Sequence, residues 1–272
     1  MTRALVALCC AGALVSCGTP AATWDPDLGA DAAIRAGISA GIPVAHPTVL
    51  ARVPHDSRSW TEGLELSGGL LYEGTGLTGR SELRELDPVT GRVLRIAELP
   101  GQRYGEGITV LGDRIWQLTY TERVGLPWDR TTLSAGPPVP YPGEGWGLCH
   151  DAAGRMIASD GSPRLRLLTR DLRPTGSLEV RIAGRPLPAL NELECAPDGV
   201  WANVFHTDYL VHIALPSGAV TEVVDASALT NEVSGLDSRV DVLNGIAAIP
   251  GTDEFLLTGK YWPLIFRVRF VR

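Results

Sequence analysis

The chain has 272 residues, of which 44% are hydrophobic, and its 24 basic and 31 acidic residues leave a formal net charge of -7. This length suits one large domain or two ordinary ones, and the acidic balance argues against a nucleic-acid partner, which would require a basic face. Lys260 is the single lysine among the basic residues, so it marks a place where a compact ammonium group is required, with chance as the alternative.

The first 16 residues have the features of a signal peptide. Arg3 supplies a positive charge, residues 4–15 are apolar, and Leu14-Val15-Ser16-Cys17 resembles a bacterial lipobox. That resemblance implies cleavage before Cys17 and lipidation of Cys17, with a plain signal peptide as the alternative. The apolar segment is short for a membrane span of about 20 residues. We therefore expect an extracytoplasmic protein held on the outer face of the cytoplasmic membrane only by a lipid anchor.

Residues 17–47 are rich in Ala, Gly, Pro and Asp and show little periodicity, which predicts a tether. Within it, Gly37-Ile38-Ser39-Ala40-Gly41 matches the G-x-S-x-G motif of serine hydrolases. That motif needs a buried strand before the serine and a helix after it. Neither is predicted here, so we interpret the match as a coincidence.

Cys149 and Cys195 are the two cysteines that remain beyond Cys17. Their spacing matches no zinc motif. Buried free thiols are the expectation, and a disulfide, which an oxidising compartment permits, is the alternative.

From residue 48 onward, short apolar runs alternate with turn residues, which predicts many short strands. A three-residue strand start recurs five times at intervals of 40 to 53 residues, about the length of a propeller blade. The five copies are Glu62-Gly63-Leu64, Glu106-Gly107-Ile108, Trp146-Gly147-Leu148, Asn191-Glu192-Leu193 and Asn244-Gly245-Ile246.

The last repeat ends early, at residues 266–270, whereas an unpaired strand at residues 49–53 precedes the first repeat. Pairing the two would complete a fifth blade and protect the open sheet edges. We therefore predict an all-β fold, a five-bladed β-propeller over residues 48–272 in which the N-terminal strand closes the last blade. A β-sandwich is the alternative, but it does not explain five equivalent strand starts.

The residue that opens each repeat occupies an equivalent place at one end of an inner strand, where all five face a central channel. These residues are Glu62, Glu106, Trp146, Asn191 and Asn244. Their polarity suits a small polar ligand, and hydrogen bonding to neighbouring strands or water is the structural alternative. Tyr120, Asp160, Phe205 and Lys260 stand at near-equivalent ends of second strands and are expected nearby, although aromatic residues there often only pack between blades.

At these positions the sequence resembles the plant and bacterial type of glutaminyl cyclase, over residues 49–271. The motifs that carry the resemblance occur in order along the chain. They are Thr61-Glu62-Gly63-Leu64, Tyr72-Glu73-Gly74-Thr75-Gly76, Gly105-Glu106-Gly107, Trp116-Gln117-Leu118-Thr119, Gly143-Glu144-Gly145-Trp146-Gly147-Leu148, Ser159-Asp160-Gly161-Ser162, Leu190-Asn191-Glu192-Leu193-Glu194, Trp201-Ala202-Asn203-Val204, Asp241-Val242-Leu243-Asn244-Gly245-Ile246 and Leu257-Thr258-Gly259-Lys260.

The resemblance implies a five-bladed propeller and a reaction without a cofactor or catalytic metal. It implies that Glu106 is the general acid and base, that Asn191 and Lys260 are polar groups contacting the substrate in catalysis, and that Trp146 flanks the substrate.

Four further positions are expected to bind substrate, with departures from the usual residues of the family. Trp60 and Glu62 stand where plant members carry Phe and Gln, and Tyr120 and Phe205 stand where Trp is common. Asn244 is expected to bind substrate as well. The pocket should persist with a different shape, and the charge of Glu62 should affect substrate preference or pH dependence.

The expected function is conversion of the N-terminal glutamine of a peptide or protein into pyroglutamate with release of ammonia. One alternative is a propeller lipoprotein without enzyme activity that binds a peptide or an envelope partner, because fold alone does not decide function. A second is a hydrolase or lactonase with a channel-bound metal, although the five histidines show no ligand pair of the expected spacing.

Overall fold

A computed structural model describes residues 29–272, so the predicted signal peptide and the lipidation site at Cys17 lie outside the described residues. Two helices occur in this range, α1 (Ala30–Ser39) and α2 (Ser227–Ser234). Neither is long and apolar enough to cross a membrane.

The strands of the first three blades form separate four-stranded antiparallel sheets. The first blade contains β2 (Thr61–Ser67), β3 (Leu70–Thr75), β4 (Glu82–Leu86) and β5 (Val93–Glu98). The second contains β6 (Gly105–Leu111), β7 (Arg114–Thr119), β8 (Val124–Asp129) and β9 (Val139–Pro140). The third contains β10 (Leu148–His150), β11 (Met156–Ala158), β12 (Arg164–Leu168) and β13 (Pro174–Glu179).

The last two blades are joined at their outer edges into one larger sheet. The fourth blade contains β16 (Leu190–Ala196), β17 (Gly199–Val204), β18 (Tyr209–Ala214) and β19 (Ala219–Asp225), and it follows a small hairpin of β14 (Arg181–Ile182) and β15 (Arg185–Pro186). The fifth contains β20 (Leu243–Ala248), β21 (Glu254–Gly259), β22 (Leu264–Val271) and β1 (Val44–Pro54).

The ring closes as the repeats predict. The N-terminal strand β1 pairs antiparallel with β22, from His46 opposite Val271 to Pro54 opposite Leu264. The inner strands contact one another in a closed cycle, β2 to β6, β6 to β10, β10 to β16, β16 to β20 and β20 back to β2. This confirms the predicted propeller, with its first strand in its last blade.

The hydrophobic residues of the blades pack between neighbouring blades. Five buried clusters occur in the described residues, one for each pair of adjacent blades. Between the first and second blades, for example, Leu83 packs with Ile115 and Trp128, all at most 1% exposed. Burial of this kind contributes about 25 cal/mol for each Å² of apolar surface, and it holds the ring together at every seam.

Within the segment predicted as a tether, residues 30–39 form α1 and β1 begins at Val44, so the prediction is wrong for these residues. Ile34 of α1 is fully buried in the cluster between the third and fourth blades. The side chain of Ile182 presses so closely on Gly37 that a Cβ there would clash with it. Packing therefore explains a glycine of the G-x-S-x-G match, and the Ser39 hydroxyl donates only to the carbonyl oxygen of Arg35.

Cys149 of β10 and Cys195 of β16 form a disulfide, with their Cα atoms 5.4 Å apart. The expectation of free thiols is therefore wrong. The bridge joins the inner strands of the third and fourth blades, which are neighbours in the ring. Such a cross-link stabilises a protein by restricting its unfolded chain.

Candidate active site

Four of the inner strands carry a β-bulge at the position that opens each repeat. The pairing register slips by one residue between Thr61 and Gly63 in β2, and the same slip occurs at the equivalent places in β6, β16 and β20. A bulge inserts an unpaired residue and changes the direction of its side chain. The bulges lie at Glu62, Glu106, Asn191 and Asn244.

Glycines next to these residues let the inner strands approach closely. A Cβ on Gly63 would lie 2.6 Å from the backbone nitrogen of Ile108, and one on Gly107 would lie 2.7 Å from the nitrogen of Leu148. Real side chains do not tolerate such contacts, so the glycines keep the ring narrow. Functional side chains from different blades can therefore reach the same space.

At this end of the inner strands lies a cavity of about 200 Å³ to which every blade contributes. It is lined by Trp60, Glu62, Tyr104, Glu106, Tyr120, Trp146, Asn191, Phe205 and Lys260. Eight of these nine residues were predicted from the sequence, and the structure brings them together.

Glu62 is the most extensively hydrogen-bonded side chain of the cavity. Its Oε1 lies 2.8 Å from Nζ of Lys260 and accepts hydrogen bonds from Trp60 Nε1 at 2.8 Å and the Tyr104 hydroxyl at 2.9 Å. Its Oε2 accepts from Asn244 Nδ2 at 3.2 Å. Burial raises the pKa of Glu62, and Lys260 with the other donors opposes that rise. All four partners are donors, so the geometry fits an ionised carboxylate.

Lys260 is held between that carboxylate and two aromatic faces. Its Nζ lies 4.9 Å from the ring centroid of Trp60 and 5.2 Å from that of Phe205. The side chain is 6% exposed. Aromatic faces attract a cation when water is excluded, so the ammonium is stabilised within the cavity.

Glu106 differs from Glu62 because no described residue hydrogen-bonds its carboxyl group. Burial raises the pKa of Glu106 well above its ordinary value, and the negative charge of Glu62 raises it further. Lys260 opposes this rise, whereas Glu122 and Glu144 add to it. Two carboxyl groups therefore share one cavity in different states, one fixed by donors and one available to exchange a proton.

The remaining lining is aromatic apart from one amide. Trp146 and Phe205 meet edge to face, with centroids 5.4 Å apart. The indole N–H of Trp146 is buried without a partner among residues 29–272. Asn191 is 3% exposed, and its backbone carbonyl accepts a hydrogen bond from the Ser159 hydroxyl at 2.6 Å. Trp146, Phe205 and Asn191 all contribute to the wall of the cavity.

Asn244, predicted to bind substrate, is not part of the cavity wall. It is fully buried, and its Nδ2 donates to the carbonyl oxygen of Thr61 at 2.9 Å as well as to Glu62. Asp160, also expected nearby, pairs instead with Arg166 at 2.7 Å. The structure therefore places Asn244 behind Glu62, as a support for that carboxylate.

Tyr104 is the lining residue that the sequence analysis missed. Burial and the charge of Glu62 raise the pKa of Tyr104, which keeps its hydroxyl protonated as a donor. The signal was available, because Tyr104 precedes Glu106 by two positions as Trp60 precedes Glu62. In both blades an aromatic residue directly before the inner strand and a carboxylate two positions later line the same cavity.

No group of three or more His, Cys, Asp or Glu side chains in the described part of the chain is arranged to hold a metal ion.

The ring of five blades and the cavity at one end of its inner strands define a β-propeller enzyme with a buried carboxyl group available for acid–base chemistry. The family model for glutamine cyclotransferase matches residues 27–270. A glutaminyl-peptide cyclotransferase of Arabidopsis thaliana is 34% identical over 225 residues, which are 81% of this chain and 70% of that protein. The crystal structure of Myxococcus xanthus glutaminyl cyclase has a TM-score of 0.77 and 34% identity, covering 84% of this chain and 98% of that chain.

The chain belongs to the glutamine cyclotransferase family, an enzyme family with glutaminyl-peptide cyclotransferase activity. This confirms the family and the activity that the sequence motifs indicated.

Proposed function

We propose that this cavity binds the N-terminal glutamine of a peptide and closes it into pyroglutamate, with Glu106 moving the protons. The observation that carries the proposal is the unpartnered, buried carboxyl of Glu106 in a space shared with Asn191 and Lys260. The cavity of about 200 Å³ is smaller than the roughly 300 to 1,000 Å³ of pockets for drug-sized ligands. Its size therefore suits one terminal residue, with the rest of the peptide outside.

The first step is transfer of a proton from the α-ammonium group to Glu106. An α-amino group has an ordinary pKa of about 7.7 to 8.0, and the raised pKa of Glu106 brings the carboxyl closer to it. A small difference in pKa lets the proton move in either direction at little cost. The neutral amine then attacks the γ-carboxamide carbon, and the new C–N bond closes the ring.

The ring closes only from a folded-back conformer of the glutamine side chain. Trp146 and Phe205 form a wall of the cavity, and such a wall excludes the extended conformers. Holding the two reacting groups of one molecule together removes much of the entropic barrier.

Bond formation places negative charge on the former amide oxygen. Asn191 or Lys260 donates to that oxygen, a contribution of about 3 to 4 kcal/mol by comparison with other oxyanion donors. Protonated Glu106 gives its proton to the leaving nitrogen, the old C–N bond breaks, and ammonia is released into the cavity. Glu106 then takes the second proton from the ring nitrogen and passes it to ammonia, which leaves as ammonium. The carboxylate is thereby restored.

The test is incubation of the purified protein with a short peptide that begins with Gln, followed by mass spectrometry for loss of ammonia. We expect turnover in wild type, unaffected by EDTA, and a loss of about 10²–10⁴-fold in kcat for Glu106→Gln with an unchanged melting temperature. Glu144→Gln, which changes a carboxylate that acts on Glu106 only through its charge, is the matched control and should retain most activity. Peptide binding without ammonia release in wild type would favour the non-enzymatic alternative.

We further propose that the protein is secreted and anchored through a lipid on Cys17, at the outer face of the cytoplasmic membrane. The lipobox-like segment supports this, and the Cys149–Cys195 disulfide suits an oxidising compartment. Fractionation of cells carrying wild type or Cys17→Ser tests it. Wild type should sediment with membranes and incorporate labelled fatty acid, and the variant should do neither. Equal distribution of the two forms would contradict the anchor.

A further inference from the structure

The cavity is lined by one lysine and two glutamates, and the charge of the lysine is already matched by one of them. Lys260 is the single basic residue in the lining. Its ammonium lies 2.8 Å from Glu62 Oε1, and both side chains are buried, at 6% and 2% exposure. Removing either partner of such a buried ion pair strongly destabilises a protein, because the other charge is left buried without compensation.

Glu62 is not free to release the lysine. Trp60 Nε1, the Tyr104 hydroxyl and Asn244 Nδ2 all donate to it, at 2.8, 2.9 and 3.2 Å. Hydrogen bonds to a charged group are roughly twice as strong as bonds between neutral groups. A ligand anion that approached Lys260 would therefore meet an ammonium whose charge is already compensated by a carboxylate held in place by three further donors.

The other charges that act on this space are negative. Glu106 lines the cavity, and the negative charges of Glu62, Glu122 and Glu144 all raise the pKa of its carboxyl group. A ligand carboxylate would therefore meet several negative charges and no free positive one, after losing its own hydration. The uncharged carboxamide of glutamine meets neither penalty.

We propose that the Glu62–Lys260 ion pair makes the cavity reject the γ-carboxylate of N-terminal glutamate while accepting the γ-carboxamide of glutamine. This inference rests on the proposed function, because it concerns the same substrate pocket. Glu62 is then a specificity-determining residue, and it acts by occupying the cation that would otherwise attract an anionic side chain. Discrimination of this kind depends on a repulsive element as well as an attractive one.

The experiment compares two peptides that differ only in Gln or Glu as the first residue. Their dissociation constants are measured by calorimetry at pH 7 in the Glu106→Gln background, which consumes the Gln peptide only slowly. The background is compared alone, with Glu62→Gln, with Glu62→Asp, and with the double change Glu62→Gln and Lys260→Met. Glu62→Gln leaves Lys260 without a counter-charge, so the preference for the Gln peptide should fall by at least about tenfold, with tighter binding of the Glu peptide. Glu62→Asp keeps the negative charge and should keep the preference.

The double variant removes both charges and should restore rejection of the Glu peptide, which separates the effect of charge from a general loss of shape. Its melting temperature, compared with that of Glu62→Gln, shows whether an unpaired lysine destabilises the fold. An unchanged preference in folded Glu62→Gln, or equally weak binding of both peptides to it, would overturn the inference. The proposed function fails separately, if wild type binds the Gln peptide but releases no ammonia.

Discussion

Oε2 of Glu192, in the fourth blade, accepts a hydrogen bond from the backbone N–H of Ile246, in the fifth, at 2.9 Å. Its Oε1 accepts from the N–H of Leu64, in the first blade, at 3.2 Å. Glu192 is fully buried, and burial raises its pKa well above the ordinary value. One side chain thus joins three blades. Its partners, Leu64 and Ile246, each lie two positions after the repeat-opening residues Glu62 and Asn244.

Replacing Glu192 with Ala should lower the free energy of unfolding by about 2 to 5 kcal/mol, because two buried N–H groups lose their acceptors. Glu192→Gln keeps an acceptor oxygen and should lose only about 1 kcal/mol. Denaturant unfolding of the two variants beside wild type measures the difference. If Glu192→Ala unfolded with the same free energy as wild type, the hydrogen bonds of Glu192 would not contribute to holding the blades together.

The pH dependence of turnover should report the charge of Glu62. That charge raises the pKa of Glu106, so Glu62→Gln should lower it and move the acid limb of the kcat/KM profile to lower pH. Lys260, which loses its partner in this variant, also lowers the pKa of Glu106. Glu122→Gln should move the limb the same way but less, since Glu122 has a smaller effect on Glu106. An acid limb that stays in place in both variants would remove Glu106 from the proton-transfer role.

Lys260→Arg keeps the charge but should reduce kcat/KM by about 10²–10³-fold, the usual loss when a positioned donor is displaced. The ammonium lies between Glu62 and the ring of Trp60 in a space that a planar guanidinium does not match. Steady-state kinetics with a Gln peptide measures the loss. Arg155→Lys, on the exposed surface, is the control and should behave as wild type. Full activity of Lys260→Arg would show that charge alone is enough.

His55 and Glu73 form a second buried pair, 3.0 Å between Nε2 and Oε1. Burial lowers the pKa of His55, but the charge and hydrogen bond of Glu73 outweigh burial, so the net pKa is raised. Because the pKa of His55 is higher in the folded protein than in the unfolded chain, the protonated imidazole stabilises the fold. This stabilisation is fully present below the unfolded pKa of His55, about 6.5, and is lost as the pH rises through its folded pKa.

His55→Asn should therefore cost about 3 to 5 kcal/mol below that pH and progressively less above it. Denaturant unfolding across pH 5 to 9, with the exposed His46→Asn as a control, tests this. A cost that does not change with pH would mean that folding does not shift the pKa of His55.

The five repeats were visible in the sequence because every blade needs the same local features, namely an apolar inner strand, a turn and a second strand. Those features are encoded within a few residues, so the equivalence of Glu62, Glu106 and Asn191 followed from spacing. The same reasoning placed Asn244 in the cavity, where it is not found. Its amide is turned to Thr61 and Glu62, and no local pattern reveals that choice.

The helix α1 in the predicted tether was not predicted, for a different reason. Residues 30–39 are small and weakly periodic, and short helices are marginal by themselves. Ile34 becomes part of the core only because the third and fourth blades offer it an apolar surface. The Cys149–Cys195 bridge depends in the same way on the distance between the inner strands of two neighbouring blades, which the spacing of the cysteines does not specify.

The sequence by itself determined the repeat, the closing strand and most of the residues that line the cavity, because blade geometry is a local property of strands and turns. Only the tertiary structure decided the contacts among those residues. Glu62 and Lys260 belong to the first and fifth blades, and they meet at 2.8 Å because the ring closes. A charge pair of this kind depends on distances across the ring, which no stretch of sequence specifies.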